Sequence, residues 1–462
     1  MAACLAGCSL QAPYVQPPLP VPSSWPVGDP YLRQGEADLP KVSYRDVFTD
    51  PRLRTLIDQA LTNNRDLRVA AANILAARAQ YRVQRAERLP QVDASGRYAH
   101  TGGEGSGGAS GASRSSDAYS VEVVTAFELD LFGRVRSLSD AALNRYFATE
   151  AAARSTRLVL IADVAEAWLT YAADASLLQI ARETAVSAES SVRLTGARLQ
   201  GGVAPRTDLR QAETVLATAQ ADVAALRTAL AQDLGALQLL LGSPVDPTLL
   251  PQSIEEASGG LTTLPVGLPS TVLLRRPDVV QAEYELRAAN AEIGAARAAL
   301  FPTISLTGAL GYASTSLSSL FTDGAFSYSV APSMSYPIFR AGAGLAGVAY
   351  SRAQRDAALA VYERAIQAGF KETADALARQ GTIADELAAR QTQAAAADDI
   401  FRLTDARYRG GADTFLASLD AQRSLYSAQR SRVATQLDAA VNRVALYRAI
   451  GGDETAESGQ AP

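Results

Sequence analysis

Cysteine is nearly missing from this 462-residue sequence, and its two copies, Cys4 and Cys8, both fall within the first eight residues. The folded body therefore has no disulfide and no thiolate chemistry. Histidine is rarer still, with His100 alone. One histidine without internal cysteine excludes zinc sites built from nitrogen and sulfur ligands. It also excludes Ser-His-Asp or Cys-His constellations beyond that single residue, and His100 itself reads as a polar residue beside a loop. No glycine loop suited to cradling phosphate is present. Lysine occurs only at Lys41 and Lys371, and the net charge of −5 argues against a nucleic-acid partner. On these grounds the expectation is a protein without metal, cofactor or enzymatic activity.

Long apolar runs are missing too: nothing approaches the 18 or more consecutive residues of a membrane-spanning helix. A membrane protein of this kind must be anchored by lipid, span as a β-barrel, or do both. Leu5-Ala6-Gly7-Cys8 matches a bacterial lipobox, in which small residues precede a cysteine that receives diacylglycerol; by resemblance to other bacterial lipoproteins, Ser9 rather than Asp after the cysteine implies sorting to the outer membrane. A covalent lipid on Cys8 is the expectation. The proline-rich stretch after it reads as an extended tether.

What is present is a repeat. A shift of 209 aligns Ala197-Arg198-Leu199-Gln200-Gly201-Gly202 with Ala406-Arg407-Tyr408-Arg409-Gly410-Gly411, and a shift of 212 aligns Arg85 with Arg297 and Pro90 with Pro302. Each copy reads as helix, β-hairpin, very long helix, Gly-Gly turn and long helix. In the second hairpin, Ile304, Leu306, Leu310 and Tyr312 alternate with Thr303, Ser305, Thr307 and Gly311. Phe326, Tyr328, Val330, Pro332 and Met334 alternate likewise with serine and alanine. In the first, Tyr119, Val121, Val123, Phe127 and Leu129 face away from Glu122 and Glu128. Half of a soluble sandwich would show the same alternation, but here two hairpins lie some 200 residues apart with long helices between. Such strands of about ten residues fit a transmembrane barrel. Four strands cannot close one, so closure needs further copies: two give a filled eight-stranded barrel, three a twelve-stranded one with an aqueous lumen. Small and acidic inward residues favour the wet option.

The helical pattern points the same way. Leu158, Ile161, Ala165, Trp168, Ala172 and Ala175 form a heptad seam, continued in phase by Phe370, Ala374, Leu377, Gly381 and Ala384 in the second copy. The stretch 134–198 would extend roughly 97 Å as a helix. A soluble coiled-coil scaffold explains the heptads but leaves the hairpins and lipobox without a role.

Several longer motifs carry a family resemblance. They are Glu128-Leu129-Asp130-Leu131-Phe132-Gly133-Arg134, Arg275-Arg276-Pro277-Asp278, Phe301-Pro302-Thr303-Ile304-Ser305-Leu306-Thr307-Gly308 and Leu419-Asp420-Ala421-Gln422-Arg423-Ser424-Leu425. With them, about residues 10–452 resemble the TolC/OprM family, in its lipoprotein branch serving resistance-nodulation-division pumps. The resemblance implies a homotrimer in the bacterial outer membrane, with a twelve-stranded barrel of four strands per chain, a periplasmic barrel of long helices and a small equatorial domain. It implies a passive export duct for small molecules in a tripartite efflux system, docked through a periplasmic adaptor onto an inner-membrane pump. A duct of a type I protein secretion system is the alternative within the fold. The chain then divides into a truncated lipoprotein signal (1–8), the tether (9–50), a first repeat (51–242, hairpin about 91–131, tip 201–205), an equatorial linker (243–276), a second repeat (277–451, hairpin about 303–338, tip 410–415) and a flexible tail (452–462).

Two groups of residues stand out as functional candidates. The tips Gly201, Gly202 and Val203, and Gly410, Gly411 and Ala412, offer exposed turn backbone, which the resemblance makes the adaptor-docking points. Leu416, Asp420 and Arg423 are spaced at i, i+4 and i+7 and share one helix face. By the family motif they line the closed pore, and three-fold symmetry would stack them as an apolar constriction, an acidic ring and its basic partners. Their first-copy counterparts Thr207, Gln211 and Thr214 are uncharged.

Overall fold

The computed structural model describes residues 10–26, 43–103, 114–262 and 270–452. Cys8 lies outside the described residues, as do positions 104–113 of the glycine-rich loop and the tail from 453 onward. In chain order come α1 (Tyr44–Val47), α2 (Pro51–Asn63), α3 (Arg65–Ala86), the strands β1 (Gln91–Gly103) and β2 (Arg114–Leu129), then α4 (Arg134–Gln200) and α5 (Arg206–Leu241). After the short α6 (Ile254–Ser258) follow α7 (Pro277–Ala298), β3 (Thr303–Ser314), β4 (Phe326–Ser335), α8 (Ala343–Arg409) and α9 (Phe415–Ala449). Among the described residues no helix is long and apolar enough to cross a membrane.

Contacts group the chain into two compact units, and each draws on both halves of the sequence. The first comprises Met1–Pro18, Ala72–Glu150 and Gln281–Tyr362; the second comprises Leu19–Ala71, Ala151–Val280 and Glu363–Pro462.

The first unit holds one antiparallel sheet in the order β1-β2-β3-β4. Its register places Tyr98 opposite Tyr119, Val123 opposite Leu310, and Leu310 opposite Tyr328. Because side chains alternate along each strand, these residues share one face with Val121, Phe127, Leu306, Val330 and Met334. The other face carries Glu122, Ser305, Gly311, Ser329 and Ser333. Gly311 is dictated by crowding: a Cβ there would lie 2.3 Å from the Val121 carbonyl oxygen. In the same unit the segment before Pro18 lies along α7. Tyr14 donates to Glu283 Oε1 at 3.3 Å, Asn290 Nδ2 donates to the Ala12 carbonyl at 3.1 Å, and Gly294 leaves room for Gln11, whose Cα would be 3.0 Å from an added Cβ. Burial raises the Tyr14 hydroxyl to about 12, with the Glu283 charge adding to the effect.

The second unit is built on long helices. Val47, Phe48, Leu53, Leu56 and Ile57 are completely buried, and the Phe48 ring meets Tyr447 edge-on at 5.5 Å. The seam residues Ile161, Ala165, Trp168 and Ala172 are buried, and Trp168 donates its indole N–H to the Leu249 carbonyl at 3.0 Å. In α8 the buried positions keep phase through Ala374 and Leu377, then pass to Ile383 while Ala384 is exposed. A straight helix drifts about 20° per heptad against a strict seven-residue repeat, which accounts for the slip. Arg276 is the buried pin of this unit. It donates to both carboxylate oxygens of Asp278 (3.1 and 2.8 Å), to Glu372 Oε2 (2.9 Å) and to the Ala449 carbonyl (2.8 Å).

Candidate gate and docking tips

Both tips are built from the same hydrogen bonds. After α4, Val203 N–H donates to the Arg198 carbonyl (2.9 Å) and Gly202 N–H to the Leu199 carbonyl (3.0 Å); after α8, Ala412 N–H donates to Arg407 (2.9 Å) and Gly411 N–H to Tyr408 (3.0 Å). This is the Schellman ending, which needs a left-handed residue just past the helix. Gly202 has φ 73° and Gly411 has φ 77°. The neighbouring Gly201 and Gly410 have ordinary φ and no crowding: a Cβ at Gly201 would have its nearest contact at 3.5 Å. All four glycines, with Val203 and Ala412, are exposed. At the second tip Asp413 accepts from Thr414 N–H (2.9 Å) and from Arg407 Nε (3.2 Å), and both interactions hold its carboxyl below the usual range.

A buried cluster joins the two tips. Tyr408, Phe415 and Leu419 pack with Ala188, Ala212 and Val215. Over it lies Arg198, whose guanidinium stands 4.4 Å from the centre of the Tyr408 ring and donates to the carbonyls of Tyr408 (3.1 Å) and Arg409 (3.2 Å). A cation at the carboxyl end of a helix suits the helix dipole, and the aromatic face adds a cation–π contact.

Leu416, Asp420 and Arg423 fall on the exposed face of α9, next to the buried row Phe415, Leu419 and Gln422. Asp420 borders an open groove of about 480 Å³ lined by Ala396, Ala397, Ile400, Ala417 and Ala421. Arg423 borders a separate cavity of about 90 Å³ lined by Thr184, Thr214, Thr218, Gln422 and Tyr426. The two charges thus border different grooves, and among the described residues neither has an ion-pair partner within the chain. The tie that does form lies one turn further on. Tyr426 donates to Asp222 Oδ2 at 2.6 Å, and Arg430 Nη1 reaches the same oxygen at 3.5 Å. Burial, then the bond to Asp222, push the Tyr426 hydroxyl up to about 12.

Sequence reasoning did not find Arg198, Asp222, Tyr426 or Arg430. One signal for Asp222 was available, since it is the only charged residue between Glu213 and Arg227.

A sheet with one apolar face, together with long helical hairpins that end in exposed glycine turns, is the architecture that comparison with solved structures identifies with outer-membrane channels. The family model described as outer membrane efflux protein matches residues 56–243 and 268–452, and the chain belongs to that family. The toluene efflux pump outer membrane protein TtgI of Pseudomonas putida is 44% identical over 453 residues, covering 97% of this chain and 96% of that protein. The outer membrane protein OprJ of Pseudomonas aeruginosa is 41% identical, covering 97% and 93%. Among solved structures, the open state of the MtrE outer membrane channel of Neisseria gonorrhoeae superposes with a TM-score of 0.84 at 35% identity, covering 96% of this chain and 98% of that one. The chain is therefore an outer-membrane channel component of an efflux system.

Proposed function

We propose that three copies of this chain form one passive export duct, closed into a ring by head-to-tail pairing of β4 in each copy with β1 in the next. One observation carries this reading: the sheet is open, and among the described residues its two edge strands have no partner on their outer side. β1 and β4 each pair with a single strand. Every residue of β4 is exposed, and α3, which leads into β1, has no buried residue. Two different free edges make a heterologous contact, which generates a ring when the rotation closes. Twelve strands then leave an aqueous lumen.

In this reading the two copies of the repeat supply two strands each, and the long helices continue the passage through the periplasm. The tips Gly201-Gly202-Val203 and Gly410-Gly411-Ala412 dock a periplasmic adaptor, which links the duct to a resistance-nodulation-division pump in the inner membrane. A lipid on Cys8 anchors the tether to the outer membrane. Leu416, Asp420 and Arg423 narrow the pore as stacked rings, with Asp420 and Arg423 pairing across protomers. The name of TtgI makes an aromatic solvent such as toluene the first cargo to test.

Native mass spectrometry of the detergent-extracted membrane fraction tests the assembly. Three chains, each beginning at a lipidated Cys8, are expected. A lipid-free trimer would remove the anchor alone, and a soluble monomer or dimer would end the ring reading. For the gate, Asp420→Ala should raise closed-state conductance and vancomycin entry; no change in either would remove the rings.

A further inference from the structure

The apolar face of the sheet ends, at the roots of the strands, in large side chains. Phe132 stacks on Phe301 with centroids 4.8 Å apart, and Tyr336, Ile338 and Phe339 are 55%, 90% and 87% exposed. Just beyond them the helix–strand junctions are rich in arginine. Arg85 and Arg88 precede β1, Arg134 and Arg136 follow β2, Arg297 precedes β3 and Arg340 follows β4, against Glu87, Glu128, Asp130 and Asp140 as the nearby acids. The β3–β4 turn at the opposite end has no arginine and carries Asp323.

Some of these arginines already have partners. Arg134 makes two hydrogen bonds to Glu128, at 3.0 and 2.6 Å, and Arg297 donates to the Leu10 carbonyl at 3.2 Å. Asp130 accepts from the Arg136 backbone N–H at 2.7 Å, and Glu87 accepts from Gln84 at 2.5 Å. The guanidiniums of Arg88, Arg136 and Arg340 are different: like Arg85 in the last turn of α3, all three residues are exposed, and none forms an ion pair among the described residues. Arg88 and Arg136 act on the same carboxyl: burial raises Asp140, and the charges of Arg136 and Arg88 both oppose that rise. Neither arginine forms an ion pair with it among the described residues.

We propose that Arg88, Arg136 and Arg340 hold the phosphate groups of anionic phospholipids in the leaflet next to the strand roots, fixing the depth at which the sheet sits. The inference rests on reading the sheet as the membrane-spanning part. The planar guanidinium fork matches phosphate oxygens in pairs, where an ammonium would act as a point charge. Cations beside an anionic bilayer gain attraction that fades within a Debye length, so the effect is sensitive to salt. The aromatic and aliphatic side chains one step nearer the strands are those found at the boundary of a membrane barrel.

The test compares thermal unfolding of the full-length protein in vesicles of pure phosphatidylcholine and in vesicles that also contain phosphatidylglycerol. The wild type should gain stability from phosphatidylglycerol at low salt and lose that gain at high salt. The triple variant Arg88→Gln/Arg136→Gln/Arg340→Gln should lose at least half of the gain, and Arg340→Gln alone a smaller part if the triple variant folds poorly. Arg182→Gln/Arg227→Gln, far from the roots in sequence, should keep all of it. A full gain in the root variants would overturn the proposal and leave the channel reading intact. An equal gain from inorganic phosphate in detergent would overturn the assignment to a lipid surface. Failure of the wild type to enter either vesicle in a carbonate-resistant form would overturn both the proposal and the membrane reading beneath it.

Discussion

The backbone at Gly202 and Gly411 is left-handed, with φ of 73° and 77°, and open space surrounds both positions. Alanine there meets no neighbour, so the only cost is conformational, about 1–2 kcal/mol per residue. Gly201 and Gly410 carry no such demand. Gly202→Ala and Gly411→Ala should therefore lower the thermal midpoint in detergent and weaken efflux. Gly201→Ala should leave the midpoint unchanged or raise it, because alanine restricts the unfolded chain. Equal losses at both positions of a tip would show that contact with a partner, and not φ, fixes the glycines. These turns were legible in the sequence because a left-handed helix ending has one inexpensive residue. The Arg198 clasp was not, because it depends on the meeting of two helix ends 210 residues apart.

Helices meet through side chains whose sequence separation hides them. Tyr426 and Asp222 lie 204 residues apart, and their bond depends on the rotation of α5 and α9 about their own axes. Heptad phase gives that rotation only locally, as the slip from Ala384 to Ile383 illustrates. Tyr426→Phe removes the hydroxyl and keeps the ring, so packing should hold while the tie from α9 to α5 is reduced to the 3.5 Å contact of Arg430 with Asp222. The expected result is a higher closed-state conductance and greater vancomycin sensitivity; unchanged conductance would show that the tie does not restrain the pore. Between α4 and α5, the Asp233 carboxyl is paired with that of Asp174, one proton between them, while its Oδ2 is buried with no other hydrogen-bond partner among the described residues. Burial, and then the charge of Asp174, push Asp233 up to about 6. In the unfolded chain such a carboxyl titrates near 3.9. Between those values the folded form keeps a proton that the unfolded form has released, so stability falls as pH rises from about 4 to about 6 and stays lower above. Asp233→Asn should raise the thermal midpoint at pH 7.5, and the difference should vanish near pH 4. A constant difference across that range would place the effect in packing instead of ionisation.

For the whole molecule, the strands declare through their alternation which residues share a face, but no single chain declares what either face meets. Val330 and Ser329 are adjacent on β4 and both exposed, yet the register puts them on opposite sides of the sheet. If a ring of copies closes the sheet into a membrane barrel, Val330 faces lipid and Ser329 faces water in the lumen. An arginine at the lipid-facing midpoint of a barrel strand costs about 2–4 kcal/mol, whereas lumen substitutions mainly tune passage. Val330→Arg should then reduce recovery of the trimer from membranes, while Ser329→Arg should assemble and lower single-channel conductance. A soluble protein exposing both side chains to water would tolerate both changes alike. Equal tolerance would remove the barrel, and loss of assembly in both would mean that the two faces are packed against protein. Only the asymmetric outcome fits a sheet with lipid on one side and a water-filled passage on the other, because both neighbours are exposed in the isolated chain and both receive the same arginine.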